Sequence, residues 1–194
     1  MRIEFIYLFY PIFFEVEKLR IDIPMILILC FVVLVSGCVS EGKNTNSTEI
    51  YSQNNISFTY PSTWEITNTT SQDAVVALAD PTTVHSGNPT TSVVIQKPAV
   101  AANSNLTSVY DSNYDSFFNN TNVKRISEGN ITINGNNALE NIYESNATGV
   151  QLEYQAVWVD YNGTIYVILG SALPTDYKNQ QTNFYQIMNS FKGQ

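Results

Sequence analysis

The sequence predicts an α+β domain, a sandwich in which a largely antiparallel β-sheet is flanked by helices. Three observations predict it: β-rich runs recur along the chain, two Asn-Gly pairs join long β-rich segments, and two segments have apolar residues at helical spacing. Asn-Gly favours a tight hairpin because both central residues of a type I′ turn need positive φ. Hairpins combined with two separate helices are typical of an antiparallel sheet with helices packed on its faces.

The first part of the domain is predicted to consist of strands. Asn55–Tyr60 is a β-rich run stopped by Pro61, and residues 64–67 follow after a short polar turn. These two segments are expected to form a first hairpin. Ala74–Ala79 and Ser92–Gln96 are nearly continuous apolar runs, which is typical of strands that are covered on both faces.

Two helices are predicted, over about residues 106–119 and 174–192. Apolar residues recur at intervals of three and four in both segments, Asn105 is available as an N-cap for the first, and Pro174 suits the first turn of the second. The apolar face of the first helix comprises Leu106, Val109, Tyr110, Tyr114, Phe117 and Phe118. Its opposite face is expected to be exposed and carries Ser108, Asp111, Ser112 and Asp115.

Two long hairpins are predicted between the helices. The first joins Val123–Ile133 to Ala138–Glu144 through Asn134-Gly135, and the second joins Val150–Tyr161 to Thr164–Ala172 through Asn162-Gly163. Because its return strand is strongly apolar, the second hairpin is expected to lie centrally in the sheet.

The N-terminal sequence predicts export. Met25–Val35 is an apolar run with the layout of a secretory h-region, and it is shorter than the roughly 20 apolar residues that span a bilayer. It ends in Val35-Ser36-Gly37-Cys38, which resembles a lipobox, so Cys38 is predicted to be lipidated. Two acyl chains would make a stable anchor. The alternative is that Cys38 is an ordinary residue in an uncleaved anchor.

These features predict the organisation of the chain. Residues 1–37 are expected to be an N-terminal extension and signal peptide, and translation starting at Met25 remains open. Residues 38–54, rich in Asn, Ser and Thr, are expected to be a polar tether, and residues 55–194 the folded domain. Cys30 would leave with the signal peptide, so no disulfide is expected in the mature domain.

Asparagine sequons suggest N-glycosylation on an exported surface. The alternative is that a surface rich in Asn and Thr produces such triplets without modification. The candidate sites are Asn46, Asn55, Asn68, Asn105, Asn119, Asn130, Asn146 and Asn162.

Charge and the absence of catalytic motifs argue against several classes of function. The formal net charge is −8 and no basic stripe is present, which argues against nucleic acid as a partner. His85 is the only histidine and lies in a polar loop, so a transition-metal site of the usual kind is not expected. Neither a nucleophile elbow nor a phosphate-binding glycine loop occurs. We therefore expect no enzyme activity, no metal and no cofactor.

Two groups of residues keep a binding site open. Glu140, Glu144 and Glu153 could approach one another across neighbouring strands and hold calcium or act as an acid/base pair, although solvated charges on a sheet face are the alternative. Trp64 and Trp158 could line a ligand groove. We expect both tryptophans to be buried anchors of the sheet instead.

Residues 56–66, with the sequence ISFTYPSTWEI, resemble the opening of PsbP-like domains. The similarity continues through LADP, VVIQKP, ITINGNNALE and YQAVWVDYNGTIYVILGSA to the final Phe-Lys, and it is strongest to exported PsbP-related lipoproteins of methanogenic archaea. The resemblance implies a non-catalytic binding module. In plants and cyanobacteria such proteins are extrinsic partners of photosystem II, a role that this sequence gives no reason to carry over.

The sequence thus predicts a lipid-anchored, PsbP-like accessory module on the outer face of the cytoplasmic membrane, where it would bind a protein complex of the cell envelope. The alternative is an envelope lipoprotein that binds a small ligand or an ion.

Overall fold

The computed structural model describes residues 47–69, 71, 73–85, 87–101, 104–115, 117–119, 122–146 and 149–194. The predicted signal peptide, Cys38 and Asn46 lie outside these residues. The elements are β1 (Thr48–Gln53), β2 (Ile56–Pro61), β3 (Glu65–Thr67), β4 (Ala74–Ala79), β5 (Val84–His85), β6 (Asn88–Pro89), β7 (Ser92–Gln96), α1 (Leu106–Tyr114), β8 (Val123–Ile133), β9 (Asn136–Ser145), β10 (Leu152–Tyr161), β11 (Thr164–Ala172), α2 (Pro174–Ser190) and β12 (Lys192–Gly193).

Most strands form one seven-stranded sheet in the order β3-β4-β7-β11-β10-β9-β8. All its pairings are antiparallel. A three-stranded sheet, β1-β2-β12, and the short β5-β6 pair complete the β structure of the described residues. The predicted α+β class, a largely antiparallel sheet with helices on its faces, is confirmed.

Both Asn-Gly hairpins form where they are predicted. Asn134 and Asn162 have φ of 47° and 53°, and Gly135 and Gly163 both have φ of 82°. A left-handed conformation at two consecutive residues matches the twist of a two-residue β-turn, which only Asn and Gly adopt at low cost. The turns therefore set the registers of β8 with β9 and of β10 with β11.

The predicted first hairpin is wrong. β2 pairs with β1 and β12 in the small sheet, whereas β3 pairs with β4 at the edge of the large sheet. The partner of β2 is instead the segment before it, through a turn at Asn54 and Asn55, whose φ values are 54° and 60°. This Asn-Asn pair takes the same conformation as the Asn-Gly turns.

The folded domain also begins earlier than predicted, because residues 48–53 of the expected tether form β1. β1 is an edge strand in which only Tyr51 is buried. Its ring stacks on Phe58 with centroids 5.0 Å apart. A strand with one buried side chain has a polar composition, which is why the segment resembles a linker.

Both predicted helices form, although the first ends at Tyr114 and not at residue 119. The Asn105 side chain caps α1 by accepting hydrogen bonds from the amides of Thr107 and Ser108, at 2.9 and 3.3 Å. A 3₁₀ turn, Phe117–Asn119, follows α1. α2 begins at Pro174 as predicted but ends at Ser190, and the last residues of the predicted helix, 191–192, are extended instead because β12 pairs with β2.

The large sheet has an apolar core on each face. α2 and the small sheet cover one face, where Phe184, Ile187 and Met188 are fully buried. Gly170 of β11 lies beneath Phe184, since a Cβ built on it would be 3.0 Å from the ring. The absence of a side chain at this position allows α2 to lie close to the sheet.

α1 and the 3₁₀ turn cover the other face with an aromatic cluster. Tyr114 is at its centre and contacts Phe118, Tyr143 and Trp158 at centroid distances of 5.2, 6.5 and 5.9 Å. The indole Nε1–H of Trp158 donates to the Tyr114 hydroxyl at 3.2 Å. Trp64, in the other core, is 3% exposed and Trp158 is 4% exposed, so the predicted role of both as buried anchors is confirmed.

The C-terminus closes the end of the sheet that carries the hairpin turns. Phe191 is fully buried, and its carbonyl accepts hydrogen bonds from the Tyr161 hydroxyl at 2.7 Å and from Asn134 Nδ2 at 3.4 Å. The Gln194 amide donates to the Asn55 carbonyl at 2.9 Å. These contacts bring the three hairpin turns and the chain end together. Among the described residues, no helix is long and apolar enough to cross a membrane.

Candidate functional site

Three carboxylates lie on the face of the large sheet that α2 covers, and we call them the carboxylate strip: Glu140, Glu144 and Glu153. Glu153 of β10 is directly opposite Glu144 of β9 in the register. Glu140 shares the face because it is an even number of residues from Glu144 on the same strand. Directly opposite residues of antiparallel strands have Cβ atoms about 5 Å apart. The structure therefore brings Glu144 and Glu153 together.

Gln155 lies in the middle of the strip. It is opposite Ile142 and diagonal to Glu140 and Glu144, and Glu153 is two residues away on the same strand. Its Nε2 donates to Glu140 Oε1 at 2.6 Å. The side chain is 0% exposed, and its Oε1 has no hydrogen-bond donor among the described residues.

Two tyrosines of α2 border the strip. Tyr177 is buried, and burial, followed by the charge of Glu153, raises the pKa of its hydroxyl. Tyr185 is 37% exposed, and its pKa is raised by burial and then by the charge of Glu140. The two tyrosines therefore cover one side of the carboxylate strip.

A shallow cavity lies at the end of the strip nearest Glu144. Lys124 of β8 approaches Glu144 with its Nζ 3.6 Å from Oε2, and Gln151 Nε2 donates to the same oxygen at 2.9 Å. The cavity has a volume of about 250 Å³. Its lining residues are Asn122, Val123, Lys124, Glu144, Ser145, Asn146 and Gln151.

In the part of the chain that the structure describes, no three His, Cys, Asp or Glu side chains are arranged to hold a metal ion. The backbone of His85 pairs with Asn88 in the short β5-β6 ladder, on a different sheet from the strip. Its side chain lies outside what the structure describes.

Burial and the nearby charge of Glu144 raise the pKa of Glu153, and Lys124 opposes the shift. The folded state therefore holds this proton more tightly than the unfolded chain, and stability is lost as the pH rises from about 4.5 through the folded-state pKa. We expect Glu153→Gln to unfold at a higher urea concentration than the wild type at pH 7, and at an equal concentration at pH 4.

Urea unfolding at both pH values measures this effect. Glu128→Gln is the control, because Glu128 is opposite Asn141, on the other face of the sheet, and its pair with Arg125 is exposed. A variant Glu153→Gln less stable than the wild type at pH 7 would show that the carboxylate is stabilised where it lies.

The described sequon asparagines are all exposed: Asn55, Asn68, Asn105, Asn119, Asn130, Asn146 and Asn162. Exposure does not separate them from most other asparagines, because Asn54, Asn88 and Asn189 are exposed as well. Asn105 also caps α1, and Asn162 has the positive φ of a hairpin turn. Glycosylation of these residues stays a prediction.

Sequence reasoning identified the carboxylates but missed their neighbours. Gln155 is the only strongly polar side chain in the run Gln155–Val159, and a lone amide in an apolar strand is a signal that it has a buried polar role. Tyr177 and Tyr185 carry no such signal. They border the carboxylate strip only because α2 packs on β10 and β11 beside it.

A family model described as PsbP-like protein matches residues 36–193. The chain belongs to the PsbP-like family. The cyanobacterial PsbP (CyanoP) of Synechocystis sp. PCC 6803 has a similar structure, with a TM-score of 0.56, 13% identity, and coverage of 82% of this chain and 99% of CyanoP. No curated protein matches the sequence.

A second similar structure is LpqN of Mycobacterium tuberculosis, a protein involved in cell envelope biogenesis. Its TM-score is 0.55, with 13% identity and coverage of 71% of this PsbP-like chain and 82% of LpqN. Similarity at this level of identity establishes the shared PsbP-like fold.

Proposed function

We propose that this PsbP-like protein is a lipid-anchored accessory module on the outer face of the cytoplasmic membrane, where it binds a protein complex of the cell envelope without catalysing a reaction. The observation that carries the proposal is the short distance along the chain between Cys38 and the fold. Only residues 39–47 separate Cys38 from β1, and the chain from Cys38 to Thr48 spans at most about 36 Å. Lipid on Cys38 would hold the domain close to the membrane.

The position of Ser47 gives the anchored domain an orientation. The Ser62 amide donates to the Ser47 carbonyl at 3.0 Å, and the hydroxyls of the two serines are also hydrogen-bonded. Ser62 lies in the short link between β2 and β3, and β3 is the strand at one edge of the large sheet. β9 lies five strands from β3, or about 24 Å at ordinary strand spacing. The tether would therefore join one edge of the domain and leave the carboxylate strip near the opposite edge, accessible to a partner.

One protein of similar fold supports an envelope role. LpqN is involved in cell envelope biogenesis. The lipobox resemblance and the exposed sequons fit an exported protein. We therefore extend the proposal to N-glycosylation and to a relationship with the PsbP-related lipoproteins of methanogenic archaea.

Mild crosslinking in native membranes tests whether the protein binds a protein complex. Recovery of one reproducible membrane complex is the expected result.

The anchor itself is tested by the mass and location of the native chain. Wild-type protein is expected to be cleaved before Cys38, to carry lipid on that cysteine and to sediment with membranes. Cys38→Ser should lose the lipid mass and the processing that depends on it, while Cys30→Ser, within the predicted signal peptide, should behave as the wild type. An unmodified Cys38 in a wild-type protein that does not sediment with membranes would contradict the proposal.

A second candidate function is binding of a small ligand or an ion by the envelope lipoprotein. The cavity beside Glu144 and the unpaired Oε1 of Gln155 favour it. Native mass spectrometry of gently purified protein distinguishes the two functions, because a stoichiometric co-purified molecule without a protein partner supports this one.

A further inference from the structure

The side chain of Gln155 has an acceptor that no donor in the described residues satisfies. Donation from Nε2 to Glu140 fixes which way the amide points, since a reversed amide would place its oxygen against the carboxylate. Oε1 is therefore available for a hydrogen bond. Because buried acceptors in folded proteins are nearly always paired, a donor from outside the described residues is expected here.

The surroundings of Gln155 supply negative charge and further acceptors. Glu140 accepts the Nε2–H, and Glu153 lies two residues along the strand on the same face. Lys124 is the basic residue paired with the strip, and it contacts Glu144 at the far end. The centre of the strip thus combines carboxylates with an unused carbonyl oxygen.

We propose that Gln155 Oε1, Glu140 and Glu153 together bind a cationic N–H donor, a guanidinium group, that enters beside Tyr185. A guanidinium presents several N–H groups in a planar fork, so it can donate to the amide oxygen and to a carboxylate at once. A tyrosine ring beside the site adds a favourable surface for a cation. The inference goes beyond the proposed function because it does not depend on the lipid anchor.

Tyr185 is the side chain that such a ligand would have to move. Its hydroxyl is close enough to Glu140 and Gln155 for hydrogen bonding to affect its pKa, yet the residue is 37% exposed. Rotation of one partly exposed side chain is a fast local motion. The site can therefore open without displacing the helix.

The test uses the full-length chain in detergent and the peptide Gly-Arg-Gly, with Gly-citrulline-Gly as the neutral isostere. NMR spectra should show the side-chain NH₂ signals of Gln155 shifting as the arginine peptide is added. Loss of one charge-assisted hydrogen bond is expected to weaken binding about tenfold or more, so the citrulline peptide, Glu153→Gln and Glu140→Gln should all show that loss. Glu128→Gln, on the opposite face of the sheet, should bind as the wild type.

The guanidinium group could come from an arginine side chain of a partner protein or from a free guanidine. Comparison of Gly-Arg-Gly with agmatine distinguishes these two sources. Tighter binding of Gly-Arg-Gly than of agmatine would identify the ligand as an arginine side chain of a partner protein. Tighter binding of agmatine would identify it as a free guanidine. Absence of any shift of the Gln155 signals with either probe would overturn the proposal, and so would equal binding of arginine and citrulline peptides. Shifts caused by calcium chloride but by neither probe would also overturn it, because the site would then hold a metal.

Discussion

Replacing Phe191 by alanine is expected to lower the free energy of unfolding by about 3 to 5 kcal/mol, the usual cost of truncating a buried phenylalanine. The ring is fully buried and packs edge to face against Tyr161 and Tyr166, with centroids 5.5 and 5.2 Å away. The backbone after it pairs with β2 through β12. A cavity here would thus loosen both the core and the link between the two sheets.

Urea unfolding at neutral pH measures the effect of Phe191→Ala. Lys192→Ala is the matched control, because Lys192 is the adjacent residue and its side chain is exposed. The control is expected to lie within about 0.5 kcal/mol of the wild type. If Phe191→Ala unfolded at the same urea concentration as Lys192→Ala, the C-terminus would contribute little to the fold and the contacts of Phe191 would not be stabilising.

Replacing Gly170 by alanine is expected to destabilise the protein by about 1 to 3 kcal/mol, because the added methyl group would overpack the core. Its Cβ would lie 3.0 Å from two atoms of the Phe184 ring, which is fully buried and cannot move freely. The strand and α2 would have to separate slightly. Thermal or urea unfolding with the Gly170→Ala variant measures this cost.

Gly129→Ala is the control for this substitution. Gly129 also lies in a strand, but a Cβ built on it meets no atom within 4 Å. Its replacement is expected to be neutral or to stabilise by up to about 1 kcal/mol, since alanine restricts the unfolded chain. A double variant with Phe184→Leu should recover part of the loss at Gly170. Equal stability of the Gly170→Ala and Gly129→Ala variants would show that the close approach of α2 to β11 does not require glycine at position 170.

Local signals in the sequence were sufficient for most elements. The Asn-Gly turns need positive φ wherever they occur, so they located both long hairpins without knowledge of the rest of the fold. Asn105 and the helical spacing after it located α1 for the same reason. The prediction failed for β1, because an edge strand that buries only Tyr51 has no hydrophobic pattern to detect.

Pairing between distant segments was not accessible in the same way. The segment Ile56–Pro61 is a strand on any interpretation, but its composition does not say whether its partner is the segment before it or the segment after it. The register with β1 and β12 is decided by burial of Ile56, Phe58 and Tyr60 against α2 and by the turn at Asn54-Asn55. The turn is a local feature, but the burial is a property of the assembled core.

The candidate site was likewise predicted only in part from the sequence. The sequence predicted that three carboxylates could approach one another across neighbouring strands, because side chains alternate along a strand. The structure shows the pairing of β9 with β10 that brings Glu144 and Glu153 together. Only the tertiary structure placed Gln155 among them and brought Tyr185 of α2 beside them.

By itself, the sequence determined the class of the fold, its two helices, its two long hairpins and the resemblance to PsbP-like domains, because these depend on turns, caps and periodicity within short segments. The tertiary structure alone decided which strand pairs with β2, where the C-terminus docks, and which polar groups are buried together. Those features depend on contacts between residues far apart in the chain, and such contacts are set by how the helices and the two sheets fill one common core.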